Sequence, residues 1–401
     1  MTNVAAPRLL PDTPGRHTRA WWGVSSLSLA ILALVTTEFL PASLLSPMSA
    51  DLDVSAGTMG QIVTATALVG AIAGPTLAPL LPRADRKRVL IILMMVAIAS
   101  NVVSALAPSF IVLVIARLAL GASIAGFWGM ALAVVAVLVP KDTIGRAMTL
   151  VTLGGTVATV AAVPVGAYLG ELLNWRVVFL LAAVLALIAL AVQWFALPQV
   201  PPAPSQGFTV VMETLRRPVV AIPLFAVVLI AFGHFAGFTY IRLAIDTVPG
   251  ATGEAVPLLL FVFGVAGVLG NMLVGWLVDT HLRLVGALAP LLIAASLAGM
   301  VLLGLSVVSV AVPITIWGAA WGMFPTIANS WVARVAPDRL ESVGALTVTM
   351  FQVGITLGAI GGGLLVDHVD VDAALTTGAV AAVAGGLVLV SRRPVQQTSH
   401  R

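Results

Sequence analysis

A single carboxylate, Glu38, stands in the apolar stretch WWGVSSLSLAILALVTTEFLPASLLSP, Trp21 to Pro47. A helix of roughly 20 such residues crosses a bilayer, so Glu38 reads as an acid held at membrane depth. No other apolar segment carries a carboxylate. Placing one there costs about 2.5 kcal/mol or more at a helix centre, a cost that points to a role. One reading is a carboxylate at the outer rim that reaches water. The other is an acid in a low-dielectric cavity that takes up a proton on one side and releases it on the other. Phe39, Leu40 and Pro41 follow it before the span ends, which favours the second. Arg117, in RLALGASIAGFWGM, is the one base deep inside a span, the others lying in loops or at span ends. It either bonds carbonyls of neighbouring helices or tunes a nearby acid or bound solute with its charge.

Further polar and aromatic side chains fall inside apolar spans: Gln61, Trp128, His234, Asn271, Trp317, Trp321, Asn329 and Gln352. An amide in lipid must face protein or a cavity. Amides and aromatics together suit a flat, hydrogen-bonding solute, by edge pairing and stacking. Each alone also serves as packing or as glue between helices, and His234 reads as structural or as a proton relay.

The elements that must position these groups are membrane helices. Of 401 residues, 60% are hydrophobic and 9% charged, against roughly 25% charged in a soluble domain. Twelve spans are expected, at about 21–46, 58–81, 88–107, 109–138, 146–170, 175–197, 218–241, 256–278, 284–306, 309–333, 343–366 and 373–391. Runs of this length exclude a porin-like barrel, whose strands alternate over about ten residues. The first run follows Arg8, Arg16 and Arg19 but is too long for a signal peptide. Seventeen of the 20 lysines and arginines fall in segments on one side of this map. Only Arg176 and Arg242 fall on the other, so both termini are expected in the cytoplasm. The basic balance therefore reflects loops near anionic lipid rather than nucleic-acid binding.

The proline-rich segment 198–217 divides the chain. The expected organisation is a cytoplasmic tail at 1–20, a six-helix bundle at 21–197, a linker at 198–217, a second bundle at 218–391 and a tail at 392–401. The halves look alike. Ala158, Ala162 and Gly166 recur 196 residues later as Gly354, Gly358 and Gly362, and such small-residue stripes are expected to pack the halves tightly together. Pro164 favours a bend in the fifth span. Repeated six-span halves imply an all-α transporter with its substrate site between them, near the midplane.

Absences narrow the chemistry. There is no cysteine, hence no thiolate metal site or Cys nucleophile. Neither lysine, Lys87 or Lys141, follows a glycine, which excludes a P-loop. No zinc-protease or serine-hydrolase motif occurs. Neither an enzyme nor a cofactor is expected.

The chain resembles the major facilitator superfamily, and within it the twelve-span drug:proton antiporters. RADRKRVL, with Asp85, Arg86 and Arg88, is similar to a shortened form of that family's loop motif between spans two and three. Its weaker echo, DTHLRLV, carries Asp279 and Arg283. Arg117 with Gly121 resembles the family's span-four motif, and Pro164 with Gly166 its span-five antiporter motif. Glu38 falls where the family has its first-span acid. The blocks TEFLPASLLSPMSADLDVSAGTMGQIVTATA, GASIAGFWGMA, GELLNWRVVF and FTYIR look most like bacterial purine ribonucleoside exporters, and less closely like sugar-efflux and chloramphenicol-resistance transporters.

The resemblance implies a monomeric bacterial inner-membrane antiporter. Glu38 and Arg117 would couple protons, and by their chemistry, apart from the resemblance, the amides, His234, Trp128 and Trp321 are expected to meet the substrate. The loop and span-five motif residues would act in gating. The expected cargo is a purine ribonucleoside or analogue, the alternatives a sugar or a chloramphenicol-like drug. An uncoupled uptake permease is the competing class.

Overall fold

The computed structural model describes residues 16–391, with 82, 141–142, 202–207, 252–254 and 305 left aside. The side chains of some further residues, Asp279 among them, also lie outside the described set, as do the tail segments 1–15 and 392–401. Among the described residues, twelve helical stretches are long and apolar enough to cross a membrane.

The first six spans are α1 (Arg16–Asp51), α2 (Ala56–Leu80), α3 (Arg86–Ala105), α4 (Phe110–Leu138), α5 (Ile144–Leu172) and α6 (Trp175–Ala196). A short helix, α7 (Phe208–Leu215), precedes α8 (Pro218–Phe238) and the brief α9 (Ile241–Asp246). The chain ends with α10 (Ala255–Leu302), α11 (Val307–Val335), α12 (Leu340–His368) and α13 (Val371–Ser391). Helix is what lipid demands, because each backbone polar group must be satisfied within its own segment. Side chains set several helix starts. Ser55 accepts from the Thr58 N–H, Asp85 from the Arg88 N–H and Asn174 from the Arg176 N–H, while Ser306 and Ser309 form a capping box.

The structure departs from the sequence expectation in three places. The loop expected at 279–283 is absent: α10 carries two spans, Ala255–Val278 and Thr280–Leu302, joined through one non-helical residue, His281 (φ −126°, ψ 31°). Asp-Thr-His-Leu-Arg holds neither glycine nor proline, so nothing there stops the helix outright. The linker 198–217 contains α7, which begins after the last of its prolines. Val211 and Leu215 pack beneath it on a small core with Val220 and Val343. The small-residue stripes pack within each half instead of between halves. A Cβ on Gly166 would lie 2.6 Å from Ser43 of α1, and one on Gly362 would lie 2.6 Å from the Ala236 carbonyl of α8.

Twelve spans put the start of α1 and the end of α13 at one end of the bundle. Arg86, Arg217, Arg283 and Arg339 sit there too, at what we call the arginine-rich end. The halves meet mainly through α2 against α12 and α5 against α10. Backbones almost touch at these crossings: a Cβ on Gly57 would lie 2.2 Å from the Gly363 carbonyl, and one on Gly264 would lie 2.8 Å from the Val160 Cα.

Candidate functional site: a central cavity

A cavity of about 470 Å³ lies between the halves and is lined from both. Its first-half wall comes from α1, α2, α4 and α5, with Glu38, Phe39, Thr66 and Trp128 among the residues, and a row of threonines on α5. Its second-half wall is largely aromatic, with Phe235, Phe238, Phe263, Trp321 and Phe351. Asn271, Asn329 and Gln352 add amides to it. The mouth faces the arginine-rich end, where Thr152, Asn271, Asn329 and Val348 are exposed, whereas Ala42, Phe238 and Phe263 at the other end of the lining are buried.

Beyond that floor, polar contacts between the halves close the far end. Asp367 accepts from Ser55 Oγ (2.5 Å) and from the Gly57 N–H (2.8 Å), so an α12 carboxylate sits at the start of α2. That is where the helix dipole favours a negative charge. Tyr240 donates to the Ala359 carbonyl (2.9 Å), and the Gln61 amide donates to the same oxygen (3.3 Å). Gln61 thus belongs to this closure and not to the cavity wall. Ser46 donates to Asp246 (3.0 Å), and Arg242 pairs with Glu171.

Two prolines in α1 explain where the arginines sit. A proline has no N–H, so Pro41 leaves the Thr37 carbonyl without its helical donor, and Pro47 does the same to Ser43. Arg117 Nη1 fills the first vacancy at 3.1 Å, and Arg242 Nη1 the second at 3.0 Å. Arg117 is wholly buried, with its guanidinium 4.6 Å from the centre of the Phe179 ring, and it does not line the cavity. Its Nε and Nη2 have no protein partner. Glu38 follows Thr37 in sequence, so the arginine is bonded to the backbone of the helix that carries the acid, one residue before it. The ion pairs within 4.0 Å among the described residues do not include them.

His234 also lies outside the cavity lining, fully buried. It stacks on Trp321 with ring centres 3.6 Å apart and planes 2° from parallel. Its Nδ1 accepts from Trp317 Nε1 at 3.0 Å. An indole nitrogen only donates, so Nδ1 is the unprotonated nitrogen of the neutral ring. One face of Trp321 is thereby covered, and the indole is held from behind.

The motif residues sit away from the cavity. Asp85 caps α3, and the buried Arg86 donates to the Leu81 carbonyl (3.1 Å). Arg88 is exposed, and Arg283 reaches the Val390 carbonyl at 3.4 Å. The Asp279 side chain lies outside the described residues. Pro164 is buried in α5, one turn beyond Val160, where α10 crosses.

The sequence reading did not single out Tyr240, Arg242 or Asp367, or the α5 threonines. Pro41 and Pro47 were the available signal for a buried arginine partner.

The family model for the Major Facilitator Superfamily matches residues 27–359. The chain belongs to that superfamily. It is therefore a multi-pass membrane transporter of small molecules and not an enzyme. The chain is 32% identical over 371 residues to the purine ribonucleoside efflux pump NepI of Salmonella paratyphi B, spanning 92% of each chain. It is 35% identical over 380 residues to a Pseudomonas aeruginosa protein named transcription regulatory protein OpdE, spanning 93% of this chain and 94% of that one. Among solved structures, a point mutant of the nucleoside transporter NupG shares its fold with a TM-score of 0.74 at 15% identity, over 92% of this chain and 99% of that one. A bacterial homologue of the lysosomal transporter Spinster, solved inward-facing and unoccupied, gives 0.67 at 16% identity, over 95% and 96%.

Proposed function

We propose that this major facilitator protein exports purine ribonucleosides or their analogues in exchange for protons, by alternating access. The observation that carries the proposal is that Glu38 shares one cavity with an aromatic, amide-edged wall. The wall suits a flat heterocycle with polar edges, and the acid suits a proton carrier. The likeness to an efflux pump for purine ribonucleosides supports the same cargo. Glu38 is the coupling acid in this reading, and Arg117 is the buried cation that biases its charge state.

The positive-inside bias supports a cytoplasmic position for the arginine-rich end and both termini, in a bacterial inner membrane. The cavity then opens inward, and the contacts around Asp367, Tyr240 and Arg242 form the outer gate. The working unit is a monomer of two six-helix bundles, 21–197 and 218–391, joined by the cytoplasmic linker 198–217. The loop motif of Asp85, Arg86 and Arg88, its echo at Asp279 and Arg283, and Pro164 and Gly166 of α5 serve the rocking of the halves.

The test is uptake of labelled inosine into inverted membrane vesicles, with a pH gradient imposed and then collapsed. Accumulation that vanishes on collapse is expected. Vesicles that contain the protein yet take up no inosine contradict the cargo. A second reading, export of an amphipathic drug by the same machine, draws on the largely apolar wall. It predicts resistance to chloramphenicol-like compounds on expression.

A further inference from the structure

The cavity's two walls correspond position by position but differ in chemistry. On α5 they present Thr152, Thr156 and Thr159, and 196 residues later α12 presents Val348, Gln352 and Ile355 at the matching places. The threonine spacing of four and three puts all three on one helix face. Each hydroxyl already spends its proton on its own helix: Thr152 on the Thr149 carbonyl (3.1 Å), Thr156 on Thr152 (3.2 Å) and Thr159 on Gly155 (2.9 Å). A hydroxyl oxygen whose proton is engaged offers the cavity lone pairs only. The row therefore presents the cavity with a line of acceptors, which matches a solute edge that carries several donors. Across the cavity, Trp321 lines the wall with His234 stacked on one face and Phe235, Phe324 and Phe351 packed around it, so a solute ring that stacks on it must use the face away from His234.

From this asymmetry we infer that Thr152, Thr156 and Thr159 form the subsite for the sugar of a bound nucleoside. They accept hydrogen bonds from its hydroxyls while its base lies against Trp321. The inference rests on the nucleoside reading and adds an orientation to it, with the sugar toward the first half and the base toward the second. Asn271 fits the same pose. Its Oδ1 accepts from Thr326 Oγ1 at 2.8 Å, which leaves its amide protons for an acceptor on the solute.

The test is equilibrium binding of inosine and of 2′,3′-dideoxyinosine to purified protein in lipid nanodiscs. Wild type is expected to favour inosine by roughly tenfold, the value of one to two hydrogen bonds. The pair Thr152→Val and Thr156→Val should bring the ratio near one by weakening inosine alone, and Thr156→Ser should keep it. A preference that survives both valines overturns the subsite and leaves the nucleoside reading standing. Wild type that binds neither compound overturns both. Should the double variant lose both ligands, Thr152→Val at the exposed mouth carries the same comparison alone.

Discussion

Glu38 and His234 hold corresponding places in the two halves. The interval of 196 residues between them also relates Phe39 to Phe235, Ala42 to Phe238 and Gly166 to Gly362. Phe39, Ala42, Phe235 and Phe238 all line the cavity, yet the two ionisable groups do not share its environment. Glu38 is in the wall. His234 is turned away from it, clamped between the Trp321 face and the Trp317 N–H. The repeat preserves the helix packing and leaves the chemistry free to diverge. In our reading the first half handles protons and the second provides a rigid aromatic surface for the cargo.

The packing that the halves share gives the largest expected effects. A Cβ on Gly121 would lie 2.1 Å from the Thr66 carbonyl, and in the matching helix crossing, here 197 residues on, one on Gly318 would lie 2.2 Å from the Phe263 carbonyl. Backbone cannot yield as a side chain can, so Gly121→Ala and Gly318→Ala should each cost about 1–3 kcal/mol. The yield of folded, monodisperse protein checks this. A large loss in only one of the two would break the correspondence between halves.

Trp321→Ala should weaken inosine binding by about ten- to a hundredfold, since stacking of a base on an aromatic ring is worth about 1–3 kcal/mol. The uptake that remains should still depend on the pH gradient. His234→Phe keeps an aromatic face behind Trp321 but loses the bond from Trp317. A smaller, few-fold loss of affinity is expected, about what one neutral hydrogen bond contributes, again with the gradient dependence intact. Loss of that dependence in His234→Phe would place the histidine in the proton path and collapse the distinction between the halves.

The smallest effect belongs to the arginine-rich end. Asp338 lies in the turn between α11 and α12 and is exposed. The hydrogen bond from Arg217 (2.8 Å) holds its carboxyl below the usual carboxylate range. A depressed carboxylate stabilises the folded state above its ordinary value of about 4 and loses that contribution as pH falls through the depressed one. Asp338→Asn should therefore lower the melting temperature slightly at neutral pH, and the difference from wild type should disappear in acid. Salt should shrink it as well, because the pair is open to solvent.

Much of the fold could be read in the sequence because lipid leaves few options. Long apolar runs must be helices, and the spans follow from them. The cavity wall was legible where a residue type is costly in lipid, as with Glu38, Asn271, Asn329 and Gln352. It was not legible where a group's role depends on what faces it. Gln61 and His234 are as polar as Gln352, but the first tightens the far end and the second backs an indole. Arg242 looked like a loop base because α8 ends four residues before it, yet Pro47 of α1 prepares its partner. The threonines of α5 looked ordinary until the cavity set them opposite aromatic rings.

The most direct test of the division between halves compares inosine binding and pH-driven inosine accumulation in one variant, Glu38→Gln, in the same inverted vesicles. The account predicts that binding and downhill exchange persist while accumulation above equilibrium is lost. Accumulation at the wild-type level in Glu38→Gln would contradict it and remove the first-half acid from coupling.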